Sequence, residues 1–290
     1  MLTHLNPEPA KPDRVVIIGA GGFVGGALEK RLAKEGIDTL GLTRRDVDLL
    51  SPDAASMLSQ VIRPTDSVVA VSAIAPCKTT QMLADNMTLT VGITTALASV
   101  NPAHVINISS DAVYPDEPVP LTEAVPAAPG SLHGAMHLAR EIAFEADVKS
   151  PLAILRPSLL YGADDPHNGY GPNRFRRLAE KGEAITLFGE GEERRDHVFI
   201  EDVAEIIYRV LCHKSTGVLN VATGEVQSFK EIAEQAVAIS GNSPTISGSP
   251  RSGPMPHNGY RPFAIDACKA AFPDFSYTPL AEGLRRAAGA

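Results

Sequence analysis

The sequence is poor in cysteine: among 290 residues only Cys77, Cys212 and Cys268 occur, each far from the others. That spacing excludes a disulfide framework and offers no paired thiolates for a metal. A reduced, cytoplasmic setting is the expectation. Positive charge is also short. Lys and Arg number 26 against 34 Asp and Glu, a formal net charge of −8, so the broad cationic surface that nucleic acid or anionic membrane requires is missing. Long apolar runs are lacking too. The longest uncharged stretch near the N-terminus, Val15 to Leu28, carries five glycines and falls below the ~20 apolar residues of a spanning helix. The first residues, MLTHLNPEPAKPDR, hold three prolines and no apolar core of signal-peptide length, so residues 1–13 read as a flexible lead-in. What remains, 44% hydrophobic and 21% charged residues, is a globular composition with length for one large domain or two unequal ones.

Short runs rich in Val and Ile, bounded by turn residues, fall at Arg14–Gly19, Thr39–Thr43, Ser67–Ala73, His104–Ser109 and Leu152–Arg156. Near-continuous apolar runs of this length suit strands buried on both faces of a parallel sheet. Helical patterns lie between them: Phe23–Glu35 with Gly36 to end it, a helix after Ser51-Pro52, and one from about Leu83 to Val100. The alternation predicts an α/β fold, a Rossmann-type doubly wound parallel sheet over residues 14–165, with 196–239 returning to it. Residues 166–195 and 240–290 are rich in loop signals, with four prolines and four glycines within Ser240–Tyr260. They are too few for a second core and predict a small C-terminal substrate-binding lobe.

Within VVIIGAGGFVGGALEKRL, Gly19, Gly22 and Gly25 recur every third residue between a buried strand and an amphipathic helix. Glycine permits the tight turn, lets backbone approach a pyrophosphate and allows close helix–strand packing, while the first helical residues, Phe23 and Val24, belong to the N-terminal turn whose N–H groups face the anion. This points to dinucleotide binding. At the end of the second predicted strand an NAD site usually offers Asp or Glu, and an NADP site offers Arg. The chain offers Thr43-Arg44-Arg45, which favours NADP. Asp48 is placed either to contact the adenine or to cap the following helix.

These motifs and several others, in order, resemble the extended short-chain dehydrogenase/reductases, the NAD-dependent epimerase/dehydratase family. SAIAP resembles the family's alanine-rich turn after the fourth strand, which sets Ala73, Ile74 and Ala75 along the cofactor, and Asn86 is placed like the Asn opening a central helix. ISSDAVYP resembles SSxxVYG. The resemblance sets Ser109 beside the cofactor and Ser110 in the position of the catalytic Ser or Thr, followed by Asp111. LRPSLLYG matches LRxxxxYG and implies that Arg156 and Pro157 close the cofactor pocket; GEGEERRDHVFIEDVA and GVLNVATGE match the elements that follow.

The chain departs from that pattern at the chemistry. Where the family has YGxxK, it reads His133-Gly134-Ala135-Met136-His137. Two His at i, i+4 share a helical face. With an ordinary pKa of ~6.5, imidazole at His133 suits acid–base work, with Ser110 polarising the substrate oxygen and His137 replacing Lys at the ribose. The pair also has a spacing that binds metal, but beyond Asp111 no third ligand is evident. Missing the Glu that follows Asp in family dehydratases, the chain is expected to be a sugar-nucleotide reductase or epimerase. The resemblance implies substrate phosphate binding by Arg195 and Arg261; Asn168 is a further substrate candidate. It also implies a homodimer formed through about Leu83–Val100 and Leu132–Glu145. The alternative is an NAD(P)-binding protein that has lost hydride transfer and serves sensing or assembly.

Overall fold

The computed structural model describes residues 1–117 and 119–289. After a two-residue strand β1 (Thr3–His4), strands and helices alternate: β2 (Arg14–Ile18), α1 (Phe23–Lys34), β3 (Asp38–Leu42), α2 (Ala54–Val61), β4 (Ser67–Ala70), α3 (Thr80–Val100), β5 (His104–Ile108), α4 (Leu132–Asp147) and β6 (Leu152–Pro157). The second half adds β7 (Leu159–Tyr161), α5 (Pro172–Glu180), β8 (Ile185–Phe188), β9 (Arg194–Phe199), α6 (Ile200–Cys212), β10 (Ser215–Val221) and β11 (Val226–Ser228). It ends with α7 (Phe229–Ser240), β12 (Ile246–Ser249), β13 (Tyr260–Arg261), α8 (Asp266–Ala271) and α9 (Leu280–Ala288).

Strand β2 shows why the apolar runs are continuous. Val15 and Ile17 point into one core with Leu28 and Leu32 of α1 and Ile207 and Val210 of α6. Val16 and Ile18 point into the other, with Leu58 of α2, Ile93 and Leu97 of α3 and Phe144 of α4. Both faces of the sheet are covered, so both sides of each strand must be apolar. Local signals set the helix ends. Thr79 Oγ1 accepts the Met82 N–H to start α3, and Ser131 Oγ accepts the Gly134 N–H to start α4.

The main sheet runs β1-β10-β6-β5-β4-β2-β3, with every pairing parallel except β1 on β10. From β2 the chain first steps outward to β3, then back across to β4, β5 and β6. The strand order thus reverses between β2 and β4, leaving a crevice at their carboxyl ends, where ligands bind in open α/β sheets. No strand intervenes between β3 and β4, because residues 43–53 are turns and α2 follows them. Counted from β2, the turn expected after a fourth strand therefore follows the third, which is β4.

Two further expectations are revised. The N-terminal lead-in is seated, not loose: Thr3 and His4 pair with Thr216 and Ser215 at the sheet edge. His4 Nδ1 lies 2.7 Å from Ser215 Oγ and its ring stacks on His213. The Asn6 and Ala10 amides donate to the His213 and Cys212 carbonyls. The domain boundary is interleaved. Strand β10 enters the main sheet and α6 packs on α1, whereas β9 forms a second sheet with β11, β13 and β7, and β7 comes from the segment assigned to the first domain. This small sheet, and the parallel pair β8–β12, form the lobe facing the crevice.

Candidate active site

The glycine turn is built by contact. Gly19 has φ +103°, a left-handed conformation, and a Cβ there would meet Ser72; a Cβ on Gly25 would sit 2.3 Å from the Gly19 carbonyl oxygen. Only glycine lets α1 close onto the turn in this way. The helix starts at Gly22 with no side-chain cap, so the N–H groups of Phe23, Val24 and Gly25 remain for an anion. A cleft of about 1300 Å³ opens here, lined by Gly19, Gly22, Phe23 and Val24. Gly25 lies behind this wall and acts through packing.

The same cleft passes Arg44, Arg45 and Asp48 after β3. The Arg44 side chain is 79% exposed and its contact with Asp48 is a loose 3.5 Å. The nearby acid, Asp46, is turned away: its carboxylate accepts both the Thr43 amide and the Thr43 hydroxyl, and these bonds hold its pKa below the usual carboxylate range. Asp48 accepts the Leu50 N–H and does not cap α2, whose N-cap is Asp53.

The loop after β4, with Ala73, Ile74 and Ala75, forms the adjoining wall and is anchored from behind. Asn86 accepts the Ile74 N–H and donates to the Ile74 and Met82 carbonyls. Arg140 Nη1 donates to the Ser72 carbonyl at 2.7 Å. This arginine is wholly buried without a carboxylate partner, and desolvation lowers its pKa to about 10.

Ser109, Ser110 and Asp111 leave β5 along the cleft, and His133 and His137 of α4 face it. Ser110 Oγ accepts the Ala112 N–H and donates to Asp111 at 3.3 Å. The two imidazoles meet edge-on with centroids 4.7 Å apart. Burial pushes the His133 pKa down, with Asp111 opposing; for His137 burial is joined by His133 and Arg140, and its pKa falls well below the ordinary value. Both rings are therefore neutral at pH 7. Among the described residues no group of His, Cys, Asp and Glu is arranged to hold a metal.

Four assigned residues do not lie on this cleft as binding groups. Arg156 is locked into a bidentate pair with Glu141, at 2.9 and 2.6 Å, and donates to the Tyr114 hydroxyl. The guanidinium is thus held by protein partners and does not line the cleft. Ser109 lines the wall, but its hydroxyl donates to Glu141 at 2.5 Å. Arg261 is 1% exposed and spends its guanidinium on Asp111, Asp116 and backbone carbonyls, so it braces the loop that carries Ser110 where phosphate binding was expected. Asn168 is exposed at φ +49° and accepts from Arg177, a turn role. Arg195 does line the cleft and, among the described residues, has one ion-pair partner, Glu193, at 3.2 Å. The sequence reading missed Cys77, whose amide points at His133, and His257 and Pro256 from the lobe; nothing local in their sequence marks them.

The model of the NAD dependent epimerase/dehydratase family matches residues 15–222. The chain is 32% identical to dTDP-L-rhamnose 4-epimerase of Burkholderia thailandensis over 44% of this chain and 38% of that protein, so the match spans well under half of that relative. It is 28% identical to dTDP-6-deoxy-L-talose 4-dehydrogenase (NAD(P)(+)) of Kitasatospora kifunensis over 79% of this chain and 80% of that one. A GDP-L-fucose synthetase of Naegleria fowleri, solved bound to NADP, shares the fold with a TM-score of 0.83 at 18% identity, covering 99% and 96% of the two chains.

Proposed function

Because the chain belongs to the NAD dependent epimerase/dehydratase family, an extended short-chain dehydrogenase/reductase, we propose that it reduces or epimerises a nucleotide-linked sugar with a nicotinamide dinucleotide, NADP in preference to NAD. The observation that carries this reading is a single cleft lined both by the glycine turn and by Ser110, His133 and His137. The residues fit such a cofactor: the uncapped start of α1 receives the pyrophosphate and Arg44 and Arg45 meet a 2′-phosphate. When bound, the nicotinamide supplies or removes hydride at a sugar carbon.

The chain's own groups do the rest. Ser110 and His133 hold the reacting oxygen, Asp111 fixes Ser110, and His137 faces the ribose. Arg195 meets the substrate diphosphate, for which a planar, permanently charged fork is suited. Two relatives named for chemistry at C4 of dTDP-linked sugars support a 6-deoxyhexose at that carbon as the substrate class. A homodimer through α3 and α4 is part of the reading: the exposed positions Ala84, Thr88, Val91, Thr95 and Ala98 of α3 are uncharged and share one face, beside Ile142 of α4.

The test is turnover of a dTDP-linked 4-keto-6-deoxyhexose with NADPH, together with NADPH titration of the parent and His133→Ala. Loss of turnover with binding kept supports the assignment. NADPH binding without turnover in the parent protein would favour the sensing or assembly role.

A further inference from the structure

The cleft holds one contact that the functional reading leaves unused. The backbone N–H of Cys77 points at His133 Nδ1, 3.4 Å away. A backbone amide only donates, so Nδ1 must present its lone pair, and a neutral imidazole with a bare Nδ1 carries its proton on Nε2. Among the described residues the one hydrogen bond to this ring is that from Cys77 to Nδ1, and the ring lines the cleft with Nε2 free. We propose that His133 is a fixed hydrogen-bond donor to the oxygen of a substrate carbonyl and does not itself carry the proton that this oxygen gains when a keto-sugar is reduced. The inference rests on the placement of His133 at the reacting oxygen proposed above.

The surroundings hold the ring in that state. Moving the proton to Nδ1 would set N–H against N–H, and a doubly protonated ring would meet the same clash. The Cys77 segment is not free to retreat: the Thr79 carbonyl that follows it lies 3.8 Å from Cys77 Sγ, and Asn86 clamps Ile74 just before it. The titratable groups that act on or touch the ring are Asp111, His137 and Cys77, and Arg140 acts on His137 behind it. Asp111, the one anion among them, is already paired through Oδ2 with Arg261, and burial outweighs its pull on the imidazole. A tyrosine at this place has one oxygen that both donates and accepts. Here those two functions are split between two nitrogens, and the accepting one faces the protein.

In the reaction this allows, the carbonyl carbon gains hydride from the reduced nicotinamide, forming a C–H bond while the π electrons of C=O pass to oxygen. The Nε2–H holds the resulting alkoxide, as neutral imidazole does for a polarised carbonyl. Nδ1 has no proton source behind it, so the proton that completes the alcohol comes from water in the open cleft. The sum is ketone, NAD(P)H and one proton giving alcohol and NAD(P)+. In the opposite direction the hydroxyl proton leaves to water by the same route, since His133 offers it no base.

Nitrogen NMR of the whole protein with 15N-labelled histidine tests the tautomer without any turnover, His133→Gln identifying the signals. The expected result is an unprotonated Nδ1 and a protonated Nε2 at His133, unchanged from about pH 6 to about pH 8, where a free imidazole titrates. A protonated Nδ1 anywhere in that range overturns the inference. Kinetics give the second arm. Glutamine keeps an N–H donor and has no basic nitrogen, so His133→Gln should reduce a dTDP-linked 4-ketohexose within about tenfold of the parent, whereas His133→Ala loses about 10²–10³-fold, as for removal of one oxyanion donor. If Gln falls as far as Ala, the donor role is wrong. If the parent turns over no keto-sugar, the functional reading fails, a result the nitrogen spectra separate from failure of the tautomer.

Discussion

Arg261 Nε lies 2.9 Å from Oδ2 of Asp111, and Nη2 of the same guanidinium lies 2.6 Å from the Asp111 carbonyl oxygen. The two residues are 150 positions apart, and between them they tie the C-terminal lobe to the loop that carries Ser110. Removing one member of a buried pair leaves the other charge unpaired, at about 3–5 kcal/mol. Arg261→Ala should therefore lower the urea midpoint strongly and disorder the Ser110 loop. A phosphate-binding role predicts another pattern, a raised KM with stability kept, and urea unfolding beside kinetics separates the two.

Arg44 and Arg45 should set cofactor choice. Each reaches the cleft without a strong partner, and a charged hydrogen bond contributes about 1.5–3 kcal/mol. Arg44→Ala with Arg45→Ala should weaken NADPH binding by tenfold or more and leave NADH binding nearly unchanged. Calorimetric titration of both nucleotides reads this, and equal weakening of the two would defeat it.

Much of this was legible because it is local. Gly19, Gly22 and Gly25 announce the turn within seven residues, and the Val and Ile runs announce strands because both sheet faces are covered. The end of α1 at Lys34, with Gly36 just beyond, was visible for the same reason. The roles of Arg156 and Arg261 were not. Motif matching put them near the cofactor and substrate, but a guanidinium's role depends on which carboxylate reaches it first, and Glu141 and Asp111 arrive from other elements. Thr3 and His4 carry no strand pattern; their order comes from β10, more than two hundred residues away. The Cys77 amide has no side-chain signature at all.

Gly25→Ala tests the packing of the glycine turn. The added methyl would meet the Gly19 carbonyl at 2.3 Å and the Ala20 Cα at 2.8 Å. These are backbone atoms, so α1 must shift away from β2. Overpacking of this kind costs about 1–3 kcal/mol, and the displaced N-terminus should also bind NADPH more weakly. A thermal unfolding curve and a titration matching the parent's would show that the turn has slack.

Val91 and Ile142 should report on self-association. They are 63% and 55% exposed on α3 and α4, helices that pack side by side. A glutamate at these exposed apolar positions would place buried charge in any interface formed there. Val91→Glu with Ile142→Glu should give a monomer by light scattering at concentrations where the parent is a dimer, with unchanged circular dichroism. A parent that is monomeric, or a variant that stays dimeric, removes α3 and α4 as the interface.

His197 should make the protein acid-sensitive from a distance. Its ring is buried against Phe229 and both nitrogens lack partners, and burial pushes its pKa from the ordinary 6.5 down to about 3. The unfolded chain therefore binds a proton that the folded chain refuses. Stability does not depend on this group above about pH 6.5 and is lost progressively as the pH falls from there towards about 3. His104, pushed to about 4 by burial, adds a decline of the same sign. His197→Phe removes one such contribution and two unpartnered buried nitrogens, each worth about 1–3 kcal/mol when left unsatisfied. Urea unfolding at pH 7 and pH 5 should show a smaller loss between the two pH values in the variant than in the parent, and an undiminished loss would mean that His197 finds a partner in solution.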